Sequence, residues 1–380
     1  SLFEQMGFTY LGPVDGHDLK SVCEFLALAK KMKKPVLLHV MTQKGRGYAP
    51  SEQYPEKYHG VSKFDRVTGA PLAAKKEDFS AFFGKELCAL AEKDNRICAI
   101  TAAMPSGTGL TRFAEKFPER FFDVGIAEGH AVTMAAGMAK QGMLPVFAVY
   151  DSFLQRGYDM LIHDMALQRL HMVLGVDRAG LVGDDGETHQ GLFDVAYLST
   201  VPGLTLLAPA SFAETRSMLH RALYELDGPV ALRYARGGEN GYSDDHSQGA
   251  AAVLREGSDW TAVCYGTMTG EVLAAAEALD AEGISVEVVK LNQLAPLEPE
   301  TVLTSVRKTG RLLVAEEVIQ TGSLGVALAG AVAAEGLALK ALKLLNTGDR
   351  FVPHGTIPQL REKLGINSDH IASVMREAER

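Results

Sequence analysis

The chain has 380 residues, of which 47% are apolar and 22% charged, with a formal net charge of −9. That is enough apolar material for two or three buried cores, and the acidic balance argues against a nucleic-acid or membrane-surface protein, which would carry a basic face. Any anion it binds must be met by a few local arginines.

No apolar run is long enough to span a bilayer, and the opening SLFEQMGFTYLGPVDGHD lacks the basic-then-apolar design of a secretion signal. Cys23, Cys88, Cys98 and Cys264 are scattered among apolar neighbours without a CxxC pair. They read as reduced core thiols and point to the cytoplasm. Residues 1–49 contain a helix, DLKSVCEFLALAKKMKK, followed by a strand, PVLLHVMT. This is the last αβ unit of some larger parallel sheet, since one such unit cannot make a core, and an upstream part is therefore expected. Residues 50–78 are polar and Pro-bearing, which marks a linker or a long functional loop.

From 79 to about 245, helices alternate with the apolar strands ICAITA, FFDVGI, LPVFAVY, HMVLGVD, LTLLAP and GPVALRYA. The pattern predicts α/β architecture with a doubly wound, mostly parallel sheet. After the polar stretch GGENGYSDDHSQG, residues 250–380 carry WTAVCYG, SVEVVKL, RLLVAEE and LKALKLL, the strands of a second, smaller α/β domain. Nothing there reads as catalytic. Glu316, Glu317 and His354 are expected at its surface or at an interface, and its expected role is contact within a dimer.

The C-terminal ends of parallel strands are where such sheets place ligand-binding groups. FFDVGI reads as a buried strand and ends at Glu128, which opens the Ala- and Gly-rich helix AEGHAVTMAAGMAKQG. The carboxylate either serves a site or complements the positive end of that helix. Beyond the next strand, Tyr150, Phe153 and Arg156 are spaced to share one face of a helical turn, although aromatics there also suit a core. Then follow Arg178 and a glycine-rich acidic loop, RAGLVGDDGETHQGLFD, with Asp185 and His189. Its glycines permit close approach to a ligand, but it is neither a GxGxxG nor a P-loop motif. LRYARGG supplies Arg233 and Arg236, only one of which need face a site at that spacing. An acid, aromatics, a histidine and several arginines at neighbouring strand ends suit an anionic substrate.

FDVGIAEGHAV, YDSFLQRGYD, DRAGLVGDDGETHQGLFD and RYARG, with KGRGY upstream, resemble the 1-deoxy-D-xylulose-5-phosphate synthases, thiamine-diphosphate enzymes of the transketolase superfamily. The resemblance runs along the whole chain. It departs at Gly129, where the family often has Gln, and at Ala235, where it often has Pro. Family members carry a Gly-Asp-Gly then Asn signature for Mg²⁺ and diphosphate. That motif is absent from these 380 residues, so the chain is expected to be the C-terminal portion, with the metal site in the N-terminal domain. Residues 1–49 would be that domain's tail, 79–245 the pyrimidine-binding domain and 250–380 the transketolase C-terminal domain.

The resemblance implies condensation of pyruvate with glyceraldehyde 3-phosphate, with decarboxylation, to 1-deoxy-D-xylulose 5-phosphate, a precursor for isoprenoid, thiamine and pyridoxal synthesis. It implies that Glu128 bonds the aminopyrimidine of thiamine diphosphate, that Phe153 stacks on it and that Tyr150 flanks it. Lys44 would approach the diphosphate and Tyr48 the metal–diphosphate region. Arg178 and Arg236 would hold the acceptor's phosphate, and Arg156, Asp185 and His189 would line the substrate channel. His189 and His59 could move protons or serve structure. A homodimer is expected, with a separate N-terminal fragment as a further partner and with the fragment alone inactive. Competing readings are the β-type subunit of a 2-oxo-acid dehydrogenase, a split transketolase and a non-catalytic paralogue.

Overall fold

The computed structural model describes residues 1–55, 57–61, 63–72 and 77–378. The linker expected over 50–78 falls partly on residues 56, 62 and 73–76, which lie outside the described residues. The chain divides into two compact units, Ser1–Lys76 and Glu77–Arg380.

In the first unit, β1 (Thr9–Asp15) pairs in parallel with β2 (Val36–Met41) across the helix Leu19–Lys31. The Asp18 carboxylate caps that helix by accepting from the backbone N–H of Lys20 and Ser21, and Lys30 and Lys31 close its last turn, complementing the helix dipole at both ends. β1 lay outside the sequence expectation because Gly12 and Pro13 interrupt its apolar pattern, and the ladder slips register there, between Leu11 and Val14. No residue of the helix is buried, and Val14 is the one strand residue that is. Cys23 is therefore exposed rather than a core thiol, because no second layer covers its helix; Cys88, Cys98 and Cys264 are buried as expected.

The second unit holds twelve strands: β3 (Ile97–Thr101), β4 (Phe121–Asp123), β5 (Leu144–Tyr150), β6 (Met172–Asp177), β7 (Thr205–Leu207), β8 (Pro229–Tyr234), β9 (Ala251–Arg255), β10 (Trp260–Cys264), β11 (Val286–Leu291), β12 (Gln293–Ala295), β13 (Arg311–Ala315) and β14 (Ala341–Leu345). One sheet has seven strands in the order β12-β7-β8-β6-β5-β3-β4, and the other has five, β14-β13-β10-β11-β9. All pairs are parallel except β12 on β7 and β9 on β11. β5, β6 and β8 occupy the middle of the larger sheet and read as continuous apolar runs because helices cover both faces. Phe83, from the helix Phe79–Ala91, stacks on Tyr234 of β8 at 5.0 Å on one such face. A single apolar cluster joins Phe147 and Leu174 of the larger sheet to Val263, Val289 and Leu312 of the smaller, so the two sheets share a core.

Glu316 and Glu317 are not at the surface. Both are buried at the end of β13, where Glu316 accepts from the Tyr265 hydroxyl at 2.8 Å and from the backbone N–H of Gly325 at 2.8 Å. Glu317 pairs with the buried Arg361 guanidinium at 2.6 Å. A strand that points its last residues into the core forces such acids to find partners there. His354 is exposed, as expected. Among the described residues no helix is long and apolar enough to cross a membrane.

Candidate active site

β4 is the edge of the larger sheet, so FFDVGI is a strand only over Phe121–Asp123 and is half-buried to exposed rather than buried throughout. The Asp123 carboxylate gathers the backbone N–H of Ala103 at 2.7 Å and of Gly125 at 3.0 Å, fixing the turn that leads to the next helix. Glu128 is the first residue of that helix, Glu128–Lys140, and is 2% exposed. Its carboxylate forms an ion pair with the guanidinium of Arg156, whose own side chain is half-exposed. A Cβ at Gly129 would lie 2.8 Å from Met160 Cε, the free end of a flexible, half-buried side chain that can shift to admit it.

Tyr150 ends β5, and the turn beyond it brings Tyr150, Phe153 and Arg156 onto one face. The two rings stack with centroids 5.6 Å apart, and the Arg156 guanidinium lies 4.7 Å over Phe153. The His189 ring approaches Phe153 edge-on at 5.2 Å and Tyr150 at 6.5 Å, while its Nδ1 shares a 2.8 Å hydrogen bond with Thr188 Oγ1. Burial raises the Tyr150 phenol above its ordinary range.

Arg178 follows β6 with φ of +65°, a left-handed backbone that is strained for a side chain of this size. This turns its guanidinium over the Tyr150 ring, 3.7 Å from the centroid, where Nη1 donates to the Gly107 carbonyl and to Asp177 Oδ1, each at 2.9 Å. Asp177 is fully buried, and burial pushes its carboxyl up to about 6, with the Arg178 charge opposing that rise. Asp185 lies between two guanidiniums, its Oδ2 3.8 Å from Arg178 Nε and 3.3 Å from Arg236 Nε. Arg236 also donates to the Val182 carbonyl at 2.6 Å. Arg233 turns inward instead and binds Asp194 at 2.5 Å, so one arginine of LRYARGG faces the site.

The residues of the second unit thus form one contiguous chain of contacts, from Glu128 through Arg156, Phe153, His189, Tyr150, Arg178 and Asp185 to Arg236. One end is a buried acid beside aromatic faces; the other is a pair of cations converging on a carboxylate. Such a site can seat a flat heterocycle at one end and an anionic group at the other. Sequence reasoning placed Arg156 in a substrate channel, and the structure pairs its half-exposed guanidinium with Glu128. It passed over Asp177, Gly107 and the inward carboxyls Asp151 and Asp194, although Asp177 and Asp151 stand at or just beyond strand ends, Gly107 is in the SGTG turn after β3, and Asp194 opens the helix after the glycine-rich loop.

Lys44, Tyr48 and His59 belong to the first unit. Lys44 Nζ lies 2.7 Å from His59 Nδ1, and the Tyr48 ring packs edge-on to Tyr58 at 5.6 Å and against Phe64 at 5.9 Å. Tyr48 lines a cavity of about 390 Å³ with His17, Gln43, Arg46, Tyr58 and Phe64. Among the described residues no group of three or more His, Cys, Asp and Glu could hold a metal ion.

The chain is similar to known proteins. Residues 75–238 match the transketolase pyrimidine-binding domain, residues 249–371 the transketolase C-terminal domain, and residues 1–42 the 1-deoxy-D-xylulose-5-phosphate synthase family. All of this chain aligns at 45% identity with the 1-deoxy-D-xylulose-5-phosphate synthase of Desulforudis audaxviator, covering 60% of that protein. Synthase 1 of Geobacter sulfurreducens is 46% identical over 98% of this chain and 59% of its own length. The chain therefore spans about three-fifths of the length of these curated relatives. Among solved structures, a split-gene transketolase described as an inactive β4 tetramer superposes with a TM-score of 0.68 at 30% identity, covering 78% of this chain and 96% of that one. The transketolase of Leishmania mexicana, at 18% identity and a TM-score of 0.64, shares the fold over 81% of this chain and 47% of its own.

Proposed function

The chain belongs to the transketolase family, in the branch whose curated members are 1-deoxy-D-xylulose-5-phosphate synthases, and from that membership we propose that it condenses pyruvate with glyceraldehyde 3-phosphate, releasing carbon dioxide. The product would be 1-deoxy-D-xylulose 5-phosphate, for isoprenoid, thiamine and pyridoxal synthesis. The observation that carries this reading is the unbroken line of contacts from a buried acid to two converging guanidiniums.

The residues present fit the pyrimidine half of thiamine diphosphate. Glu128 offers an almost fully buried carboxylate, and Phe153 and Tyr150 offer ring faces beside it. Thiamine diphosphate, when bound, supplies the electron sink for decarboxylation and carbon–carbon bond formation. Glu128 would bond N1′ of the pyrimidine. Arg156 would keep the Glu128 carboxylate oriented from its half-exposed side. His189, edge-on to Phe153, would give or take the proton of an oxygen on the substrate. Arg178 and Arg236 would bind the acceptor's phosphate. Their approach to Asp185 Oδ2 supports this, since both already converge on one anionic oxygen, and planar forks suit phosphate well. Lys44 and Tyr48 are assigned to the diphosphate side and His59 to proton transfer there. Mg²⁺ is assigned to an N-terminal diphosphate-binding domain. The chain would work as a homodimer in the cytoplasm.

The 30% identical split-gene transketolase favours a second form of the same reading, in which the diphosphate-binding domain arrives as a separate polypeptide. The uncovered helix and strands of the first unit are consistent with such a partner.

The test combines this chain with a diphosphate-binding domain, cofactor, Mg²⁺ and both substrates. Glu128→Ala is expected to abolish product formation while circular dichroism stays unchanged; a variant that keeps near-parental rates would overturn the assignment. The 380-residue chain alone is expected to show no measurable pyruvate decarboxylation, and calorimetry that detected tight cofactor binding to it would contradict that expectation.

A further inference from the structure

Directly beneath the site lies a polar knot that the proposed reaction does not use. Asp151 follows Tyr150 and opens the short helix Asp151–Leu154, which carries Phe153. Its carboxyl group is fully buried, and neither oxygen has a hydrogen-bond partner among the described residues. Gly191 presses against it so closely that a Cβ there would lie 2.9 Å from Asp151 Cγ. The charged and titratable groups that act on Asp151 are Asp194 and Arg233, and the Tyr197 phenol senses the charges of all three.

Each of these groups is tied to a different part of the site. Asp194 is fully buried and opens the helix Asp194–Leu198, just after the loop that bears Asp185 and His189. Arg233 is in β8, three residues before Arg236. The turn after β5, the helix that follows the glycine-rich loop, and β8 therefore meet at one point in the interior.

The number of charges decides the state of the knot. Arg233 is one cation and is already matched by Asp194 at 2.5 Å. A second carboxylate here would be buried without a hydrogen bond and without a counter-charge of its own, which is strongly unfavourable. A neutral acid whose O–H turns toward Asp194 satisfies both groups, as in carboxyl pairs that share one proton. Burial pushes the Asp151 carboxyl well above the ordinary carboxylate range; the Asp194 charge adds to that rise, and Arg233 opposes it.

We propose that Asp151 is a positioning residue acting as a neutral acid, a proton latch that joins the turn presenting Tyr150 and Phe153 to the loop presenting Asp185 and His189. Loss of the proton sets two carboxylates against each other, and the loop over residues 178–193 loosens while the sheet stays intact. The folded chain keeps this proton to higher pH than the unfolded chain does. The latch's stabilisation is therefore complete below the unfolded carboxyl value of about 3.9 and drains away as pH climbs through the folded one. Its consequence for catalysis rests on the proposed function, but the latch itself does not.

Amide hydrogen exchange on the 380-residue chain reads the latch alone, with rates corrected for the intrinsic effect of pH. Between neutral and alkaline pH, the parent is expected to lose about tenfold or more of its protection in residues 178–193, with β5 and β6 unchanged. Asp151→Asn keeps a neutral hydrogen-bonding group that cannot ionise, so its loop should remain protected at both values. Asp151→Ala should be poorly protected at both. A side chain that merely fills space would leave parent and Asn variant alike. An Asn variant that follows the parent, a parent that loses no protection, or an Asn variant that fails to fold would each overturn the proposal.

Discussion

The helix Leu19–Lys31 with β1 and β2, and the helix Glu128–Lys140 with β5 and β6, are built to the same αβ plan, yet their interiors differ completely. In the second case, six of the seven residues of β5 and every residue of β6 are buried. In the first, no helical residue is buried, and Leu19, Leu26, Leu28, Val40 and Met41 are exposed. Local signals for helix and strand are thus sufficient to shape an element, but burial requires a second layer. The first unit has the apolar surface of a core without the covering that would make it one. The diphosphate-binding domain proposed above would supply that covering.

Four experiments bear on that difference, from the largest expected effect to the smallest. Phe83→Ala removes a fully buried ring and should cost about 3–5 kcal/mol in denaturant unfolding, whereas Leu26→Ala in the first unit should stay within about 0.5 kcal/mol. Comparable losses would mean that the first unit is packed after all. Next come the ion pairs. Arg233→Ala strands the buried Asp194 and should cost about 3–5 kcal/mol, while Lys44→Ala, which loses only an exposed contact with His59, should leave the melting temperature where it was.

A third experiment uses the assembled enzyme. Arg178→Ala and Arg236→Ala should each weaken the phosphorylated acceptor by about 1.5–3 kcal/mol, seen as a roughly ten- to hundredfold rise in KM, with little change for pyruvate. Unphosphorylated glyceraldehyde should suffer less. Equal losses with both acceptors would remove the phosphate assignment.

The smallest effect is one of sign. Burial raises the folded value for Asp177 to about 6, so its stabilisation is full below the unfolded value of about 3.9 and is lost as pH rises through about 6. In the first unit, hydrogen bonds from Ser21 lower Asp18 and bonds from Thr68 lower Asp65, so their stabilisation is full above the unfolded value and fades as pH falls. Acidification from about pH 7 to about pH 4.5 should therefore firm the packing around Asp177, and a further drop to about pH 3 should loosen the turns that Asp18 and Asp65 hold. Hydrogen exchange resolved by segment checks this, and parallel changes at these places would sink it.

Much of the architecture was legible because parallel strands covered on both faces write themselves as plain apolar runs, as LPVFAVY and HMVLGVD do. FFDVGI carries the same signature but lies at an edge, and periodicity does not distinguish an edge from a centre. β1 was hidden by its Gly-Pro interruption, and β9 and β12 by being short antiparallel additions. At the site, the residue types at strand ends could be read from spacing, and the structure gathers those of the second unit into one line. What each touches could not be read. Arg156 meets Glu128 only because the turn after β5 folds back over the start of a distant helix. Glu316 and Glu317 looked like surface or interface acids because no local pattern announces Tyr265 or Arg361 as their partners.

β12 comes from the C-terminal half of the chain yet is hydrogen-bonded as the last strand of the other half's sheet, with Gln293 opposite Leu207 and Ala295 opposite Leu206. For evolution by exchange of modules, this is a stitch. A gene rearrangement that replaced everything after residue 249 would also replace the hem of the neighbouring sheet. Any substitute would have to bring a segment able to pair with β7 or leave a raw strand edge open to other chains. A gene cut anywhere between β8 and β12 would part that edge strand from the sheet it closes.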